Sequence, residues 1–573
     1  MPIASPGKSW PRLCSRLASR AAPAAFRRLV RHFLMRLVRG DSADAEFEMG
    51  AGVLLGLLAA PGAFQSFLLL DKYSTFLNWL RGRLRSDLYV ASAPDKYLFL
   101  SLAMAVTGIV TVLKWDRILP DSQDYLNLAP LPIRPRAILL ANASALAIAV
   151  LVFAVDVNAA SMILFPFFVG AAAEASPAAL AQFVAVHALC LVLASLFTFC
   201  AVFAVLGTLA AVLPRETFRA WSAWVRGAAL VAFLMLLLSA FASPDLMRRM
   251  TRVGWLPSFW FLGLYQVLQN RATPELARLA HRALTGSGAA FGVMLLSYAL
   301  SYRRRFAGVL EGGRRPSEQR LFAAALAVLD GFGWRASGFR RASYRFVVRA
   351  LLRNEAHRLC LASSLGLGWL LALESGSPRE GPLMATYLLT LGLRLAFELP
   401  AAAPANWVFR AVLDAREHAV AGVARRVMLA FLAPLVLLPC LFWTAAREGW
   451  FVATLHTGYV VALALCLMEL LLAGYRKIPL TCPLPGFRNN LPVACLLQIL
   501  GFEAFTHLGA ELERWMLAAP ARFLLVPAAM LAGWKWNQAR LAQAREAGEL
   551  EVGLSFESLP PPAFERLKLS DAE

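Results

Sequence analysis

The chain of 573 residues is 59% hydrophobic and 16% charged, far from the near-half apolar, quarter-charged balance of a soluble domain, so a soluble globular protein is excluded. The formal charge of +21 does not point to nucleic acid, because Lys and Arg gather at the ends of apolar runs and form no aromatic-interleaved face. The cysteines Cys14, Cys190, Cys200, Cys360, Cys440, Cys466, Cys482 and Cys495 contain no CxxC pair, which argues against a disulfide framework or a zinc site.

The apolar runs are roughly 18–25 residues long, enough to cross about 30 Å of hydrocarbon as helices. The predicted fold is an all-α polytopic membrane protein of about twelve transmembrane helices, arranged as two six-helix halves with amphipathic interfacial helices. Residues 1–47 are expected to be a cytoplasmic segment and not a cleavable signal peptide, since the first long apolar run begins only near Glu48. Within them, FRRLVRHFLMRLVR at 26–39 sets Phe26, Leu29, Val30, Phe33, Leu34 and Leu37 at helical spacing against five arginines. Such a helix lies in the headgroup plane.

Residues 48–305 form the first predicted half. Its spans fall at Met49–Leu70, Asp95–Trp115, Ala137–Val157, Pro177–Leu213, Ala220–Ala242 and Gly286–Tyr302. An apolar patch at Ala160–Ala173 is expected to re-enter, and the long Pro177–Leu213 run to break near Leu206–Gly207. Gly254–Val267 is apolar, aromatic and too short to cross, so it reads as a re-entrant or interfacial hairpin.

Residues 306–356 are a predicted cytoplasmic linker with surface helices, in which Arg345–Arg353 (RFVVRALLR) repeats the character of Phe26–Arg39. Residues 357–536 form the second half, with spans near His357–Leu373, Pro382–Phe397, Val427–Ala446, Phe451–Gly474, Leu491–His507 and Leu517–Trp536, and residues 537–573 a cytoplasmic tail. In both halves a basic amphipathic helix precedes the first span, and a Leu-Pro (Leu119–Pro120, Leu399–Pro400) opens a polar loop after the second. This pattern reads as an internal duplication. The Lys/Arg bias places both termini in the cytoplasm of a bacterial inner-membrane protein, together with Arg303–Arg305, Arg425–Arg426, Arg476–Lys477 and Lys535–Arg540.

The most distinctive loop, WDRILPDSQDYLNLAPLPIRPRAILLAN, lies between the second and third spans. Leu126, Leu128 and Leu131 could fill a partner's cleft. Pro130, Pro132 and Pro135 stiffen the exit, and the charges fix register. The plainer reading is a passive turn. Asp124, Leu126, Leu128, Leu131–Pro132 and Arg134 or Arg136 follow, in order, the pattern of an acidic residue, a Leu-Leu-x-x-Pro core and a basic residue before the third span. On this loop, the preceding amphipathic helix and the short Gly254–Val267 piece, residues 26–305 resemble the permease subunits of type-two ABC exporters. The resemblance implies that the loop is a coupling helix docking on an ATPase subunit, and that a single duplicated chain would supply both permease halves. The second-half loop, residues 400–426, keeps the layout but lacks the Leu-Leu-x-x-Pro core. No GxxxxGK[ST] occurs, so the ATPase must be a separate partner.

Ionisable residues inside spans are the remaining candidates: His187, Arg394, Glu469 and Glu503, as a polar path within the membrane. For Glu469 the plainer account is a structural carboxyl paired to a neighbouring helix, with Arg394 as the expected partner. Glu503, His507 and Glu511 at i, i+4, i+8 share a helical face with metal-ligand chemistry, though a solvated helix end explains them more simply. Asn406, Trp407 and Arg410 read as interfacial anchors. No Ser/His/Asp arrangement, HExxH motif or paired carboxylates call for a catalytic role, a cofactor or a metal. The predicted function is therefore a non-enzymatic permease component, with a separate ATPase, the lipid bilayer and an unknown transported substrate as partners. The alternatives are a membrane-embedded enzyme acting on lipid or isoprenoid-linked substrate and a non-catalytic scaffold.

Overall fold

The computed structural model describes residues 26–35, 37, 62–63, 65–66, 69, 92–118, 128, 135–173, 176–241, 254–271, 273–310, 326–331, 338–399, 401, 421–473, 475, 478–481 and 491–546. Almost all of these are helical, and no strand occurs among them. Eight of the helices are long and apolar enough to cross a membrane. The predicted first span, Met49–Leu70, lies almost wholly outside the described residues. The chain divides into two compact units, one from described residues of 1–218 and 232–315, the other from 219–231 and 316–561.

The first unit contains α1 (26–35), α2 (Ala93–Leu113), α3 (Pro135–Ala172), α4 (Pro177–Val212), the two ends of α5 (Arg215–Phe241), α6 (Pro257–Leu268) and α7 (Pro274–Leu310). Two sequence expectations fail here. The apolar patch at Ala160–Ala173 does not re-enter but continues α3 through Pro166, since proline is tolerated inside a membrane helix where neighbours meet the freed backbone group. Nor does α4 break at Leu206–Gly207. Gly207 is a packing glycine: a Cβ there would meet the Ser297 side chain of α7, and Ser301 Oγ donates to the Gly207 carbonyl at 3.0 Å. At about 1.5 Å per residue, α3, α4 and α7 are longer than the hydrocarbon layer is thick and must project beyond it.

The short aromatic piece forms the 12-residue helix α6, packed on α2, α4 and α7. Phe259, Phe261 and Tyr265 are fully buried, and Phe259 stacks on Tyr97 at 4.5 Å. Gly263 permits the approach to α7, because a Cβ would reach the Leu276 carbonyl and the Leu279 side chain.

The second unit contains the middle of α5 (219–231), α8 (Gly338–Arg353), α9 (Glu355–Ser375), α10 (Glu380–Ala396), α11 (421–448), α12 (Trp450–Leu471), α13 (491–517) and α14 (Leu525–Glu546). Asn354 caps α9, its side-chain oxygen accepting from the Ala356 amide at 3.0 Å. Helix α11 consists of Ala421–Leu432 and Leu438–Glu448 joined by a π-turn, Ala433–Leu437. Pro439 has no N–H for the carbonyl of Leu435, and the Trp369 indole donates to that carbonyl at 3.0 Å. A second π-turn, Ala504–Leu508, joins Leu491–Glu503 to Gly509–Leu517 within α13, and a 3-10 turn, Pro520–Leu524, leads into α14. The core is a continuous apolar cluster of α8, α9, α10, α11 and α12 side chains. Thus α8, which the sequence places in a linker, is an integral part of this unit.

Candidate functional site

Of the predicted docking loop, Asp124, Leu126, Leu131, Pro132 and Arg134 lie outside the described residues, whereas its base, Leu128 and Arg136 lie within them. The apolar face of α1 buries Leu29 and Phe33 against Ile138, Ala141 and Ala145 at the start of α3, with Leu128 packed beside them. Arg28, Arg31 and Arg136 are exposed around this contact. Leu128 therefore has an apolar partner inside the chain. The two ends of the loop are tied together by Asn142, which is buried and whose amide donates to the Ile118 carbonyl at 3.2 Å and to the Tyr298 hydroxyl at 2.8 Å. Tyr298 stands on α7, so the loop base is pinned to two long helices at once.

The second unit repeats this layout. Tyr344, Val347, Val348 and Leu351 on the inner face of α8 are buried in one cluster with Val423, Ala424 and Val427 at the start of α11. The Tyr344 hydroxyl donates to the Leu329 carbonyl; burial, and secondarily nearby Asp330, pushes that phenol up to about 12. The loop after α10 is fixed at its start: the Ala401 amide donates to the Leu480 carbonyl at 2.8 Å, and the Leu480 amide to the Phe397 carbonyl at 3.0 Å. His357 Nε2 lies 2.8 Å from the Leu399 carbonyl. Asn406, Trp407 and Arg410 fall outside the described residues.

Of the predicted intramembrane residues, His187 belongs to the first unit and Arg394, Glu469 and Glu503 to the second. His187 on α4 is fully buried, with Nδ1 at 3.0 Å from the Tyr265 hydroxyl of α6 and the rings of Phe99 and Phe165 around it. Beside it, buried Lys96 donates to the Gln269 side chain at 2.6 Å and lies 5.0 Å from the Tyr265 ring centre. Glu469 is half-exposed and pairs with Arg425, not with Arg394. Arg394 instead pairs with Glu398 one turn away, donates to the Leu471 carbonyl at 2.8 Å and lies over the Tyr475 ring. Both residues sit near the ends of their helices. Glu503 and His507 are exposed and 3.2 Å apart, while Glu511 turns to Arg514 at 2.8 Å. Among the described residues no cluster of three or more His, Cys, Asp or Glu is placed to hold a metal ion.

Sequence reasoning missed the buried histidine of α12. His456 of α12 lies with Nδ1 2.7 Å from Glu513 Oε1, the two side chains 1% and 0% exposed. Glu513 sits two residues from Glu511, so the two carboxyls of one helix point to different faces, but nothing in the sequence pairs Glu513 with a histidine 57 residues away. It also missed Arg226, fully buried and donating to Glu355 at 2.9 Å, and Asn142. Comparison with family models, with curated proteins and with solved structures returns no match in any of the three.

Proposed function

We propose that the chain is the membrane-spanning permease component of an ABC-type exporter in a bacterial inner membrane, energised by a separate ATPase. The observation that supports this most is the repeated seating of a basic amphipathic helix on the start of a long helix, at the base of a polar loop: α1 on α3, and α8 on α11. A soluble motor can move a membrane helix only through a loop whose base is stiff. Asn142 and the Leu480 contacts supply that stiffness. In this reading the chain has twelve spans as six plus six, with α10, α13, α14 and the segment at 49–70 added to the eight long apolar helices, and with both termini cytoplasmic. The chain itself is not an enzyme; the substrate passes through it, and lipid surrounds it.

The test is purification of the tagged chain in gentle detergent with mass spectrometry of what accompanies it, followed by an ATPase assay. A stoichiometric ATPase carrying a phosphate-binding loop, lost from a Leu131→Asp/Arg134→Glu variant that remains monodisperse, is the expected result. Leu128→Asp is the weaker probe, because Leu128 also packs on α1. A monodisperse chain that brings no ATPase would return the loop to the role of a turn.

A further inference from the structure

The second unit has a surface crevice of about 290 Å³ where the turn between α9 and α10 meets the end of α11 and the outer part of α13. Glu380, Glu448, Ala510 and Arg514 line it. Ala510 and Arg514 flank Glu513 on its own helix, one turn to one side and one residue to the other. The crevice therefore lies against the same turn of helix as Glu513, although neither His456 nor Glu513 lines it.

Two atoms of that pair, His456 Nε2 and Glu513 Oε2, are buried and have no hydrogen-bond partner among the described residues. The charged groups on the surrounding elements are already engaged. Arg379 faces Glu448 at 3.5 Å, and Arg514 faces Glu511 at 2.8 Å and Glu380 at 3.8 Å. Arg447 donates to the Gly376 carbonyl, Arg522 donates to the Trp515 carbonyl, and His507 faces Glu503. Tyr459, on the same helix as His456, donates its hydroxyl to the Gly509 carbonyl at 2.9 Å. Glu513 thus has His456 as its ionic partner.

Such a pair is neutral when it holds one proton, as imidazolium and carboxylate or as imidazole and carboxylic acid. Losing that proton leaves a buried anion, and gaining another leaves a buried cation; either is costly in a dry interior. A change of charge must therefore be accompanied by a change of environment. The segment whose two ends interrupt the regular helix is Gly509–Leu517, bounded by the π-turn Ala504–Leu508 and the 3-10 turn Pro520–Leu524, and π-turns inside helices are frequent at functional sites.

We propose that His456–Glu513 is a proton-binding site, loaded through the Glu380–Arg514 crevice, whose charge sets the position of residues 509–517. This goes beyond the permease reading and does not depend on it.

The full chain in phosphatidylcholine nanodiscs is followed by pH-difference infrared spectroscopy and by counting protons taken up between about pH 5 and pH 8. Glu513→Gln is expected to remove a buried carboxylic-acid band and about one proton of uptake per chain, while Glu511→Gln leaves the band in place. A dye on Leu512→Cys is expected to shift with the same midpoint. A band that survives Glu513→Gln in the folded protein overturns the assignment, and a dye that does not respond overturns the movement. Should Glu513→Gln fail to fold, the unmodified chain decides. A carboxylic-acid band that exchanges with deuterium more slowly than the surface carboxyls supports the site. No such band means a fixed structural contact.

Discussion

Helices α4 and α12 each carry one histidine, fully buried, and each places its Nδ1 against a hydroxyl or carboxyl from a later helix; the two units finish the arrangement differently. His187 meets the Tyr265 phenol inside a cage of Phe99 and Phe165, with Lys96 alongside. His456 meets the Glu513 carboxylate. A phenol in an aromatic cage offers a hydrogen bond and a fixed shape, whereas a carboxylate also offers a charge that depends on a proton. His187 thus has a neutral partner and His456 a carboxyl partner.

Four variants sharpen or break that contrast. The largest effect is expected for Glu513→Ala, which strands His456 in a dry interior and should cost about 3–5 kcal/mol of stability by denaturant unfolding in micelles. His456→Leu/Glu513→Leu, which removes both partners, should recover much of it, and a double variant no better than the single would dissolve the pair as an energetic unit. Tyr265→Phe should cost about 1–3 kcal/mol through the unsatisfied imidazole nitrogen, with no change in proton uptake; a change would erase the distinction between the two units. Arg425→Gln, at the half-exposed Glu469 pair, should change stability by less than about 1 kcal/mol. A larger loss would make Glu469 the more consequential carboxyl after all.

The amphipathic helices were legible because their pattern is local: Leu29 and Phe33, like Val347 and Leu351, repeat at helical spacing and bury the predicted face. Helix ends were harder. The sequence reading stopped α3 at Val157 on the expectation of one bilayer thickness, but nothing at 158–172 forbids helix, and α3 runs to Ala172. The buried pair was illegible for another reason. Its members are 57 residues apart, and the π-turn at Ala504–Leu508 adds a residue to the helical count. That turns every following face by about 100°. A face drawn through Glu503, His507 and Glu511 on an unbroken helix is therefore not the face the chain presents, and Glu513 is turned inward instead.

Helix α6 also constrains how the protein is made. At 12 residues it is too short to be retained in a membrane as a span by its own hydrophobicity. Two of the surfaces that hold it, α2 and α4, are synthesised before it, but the third is α7, whose Leu276 and Leu279 reach Gly263. The segment must then wait at the interface during synthesis and enter only when α7 has emerged and closed over it. Biogenesis of this unit is accordingly not a simple N-to-C threading, and a ribosome stalled before Pro274 would leave Trp260 and Gly263 without the α7 surface they pack on.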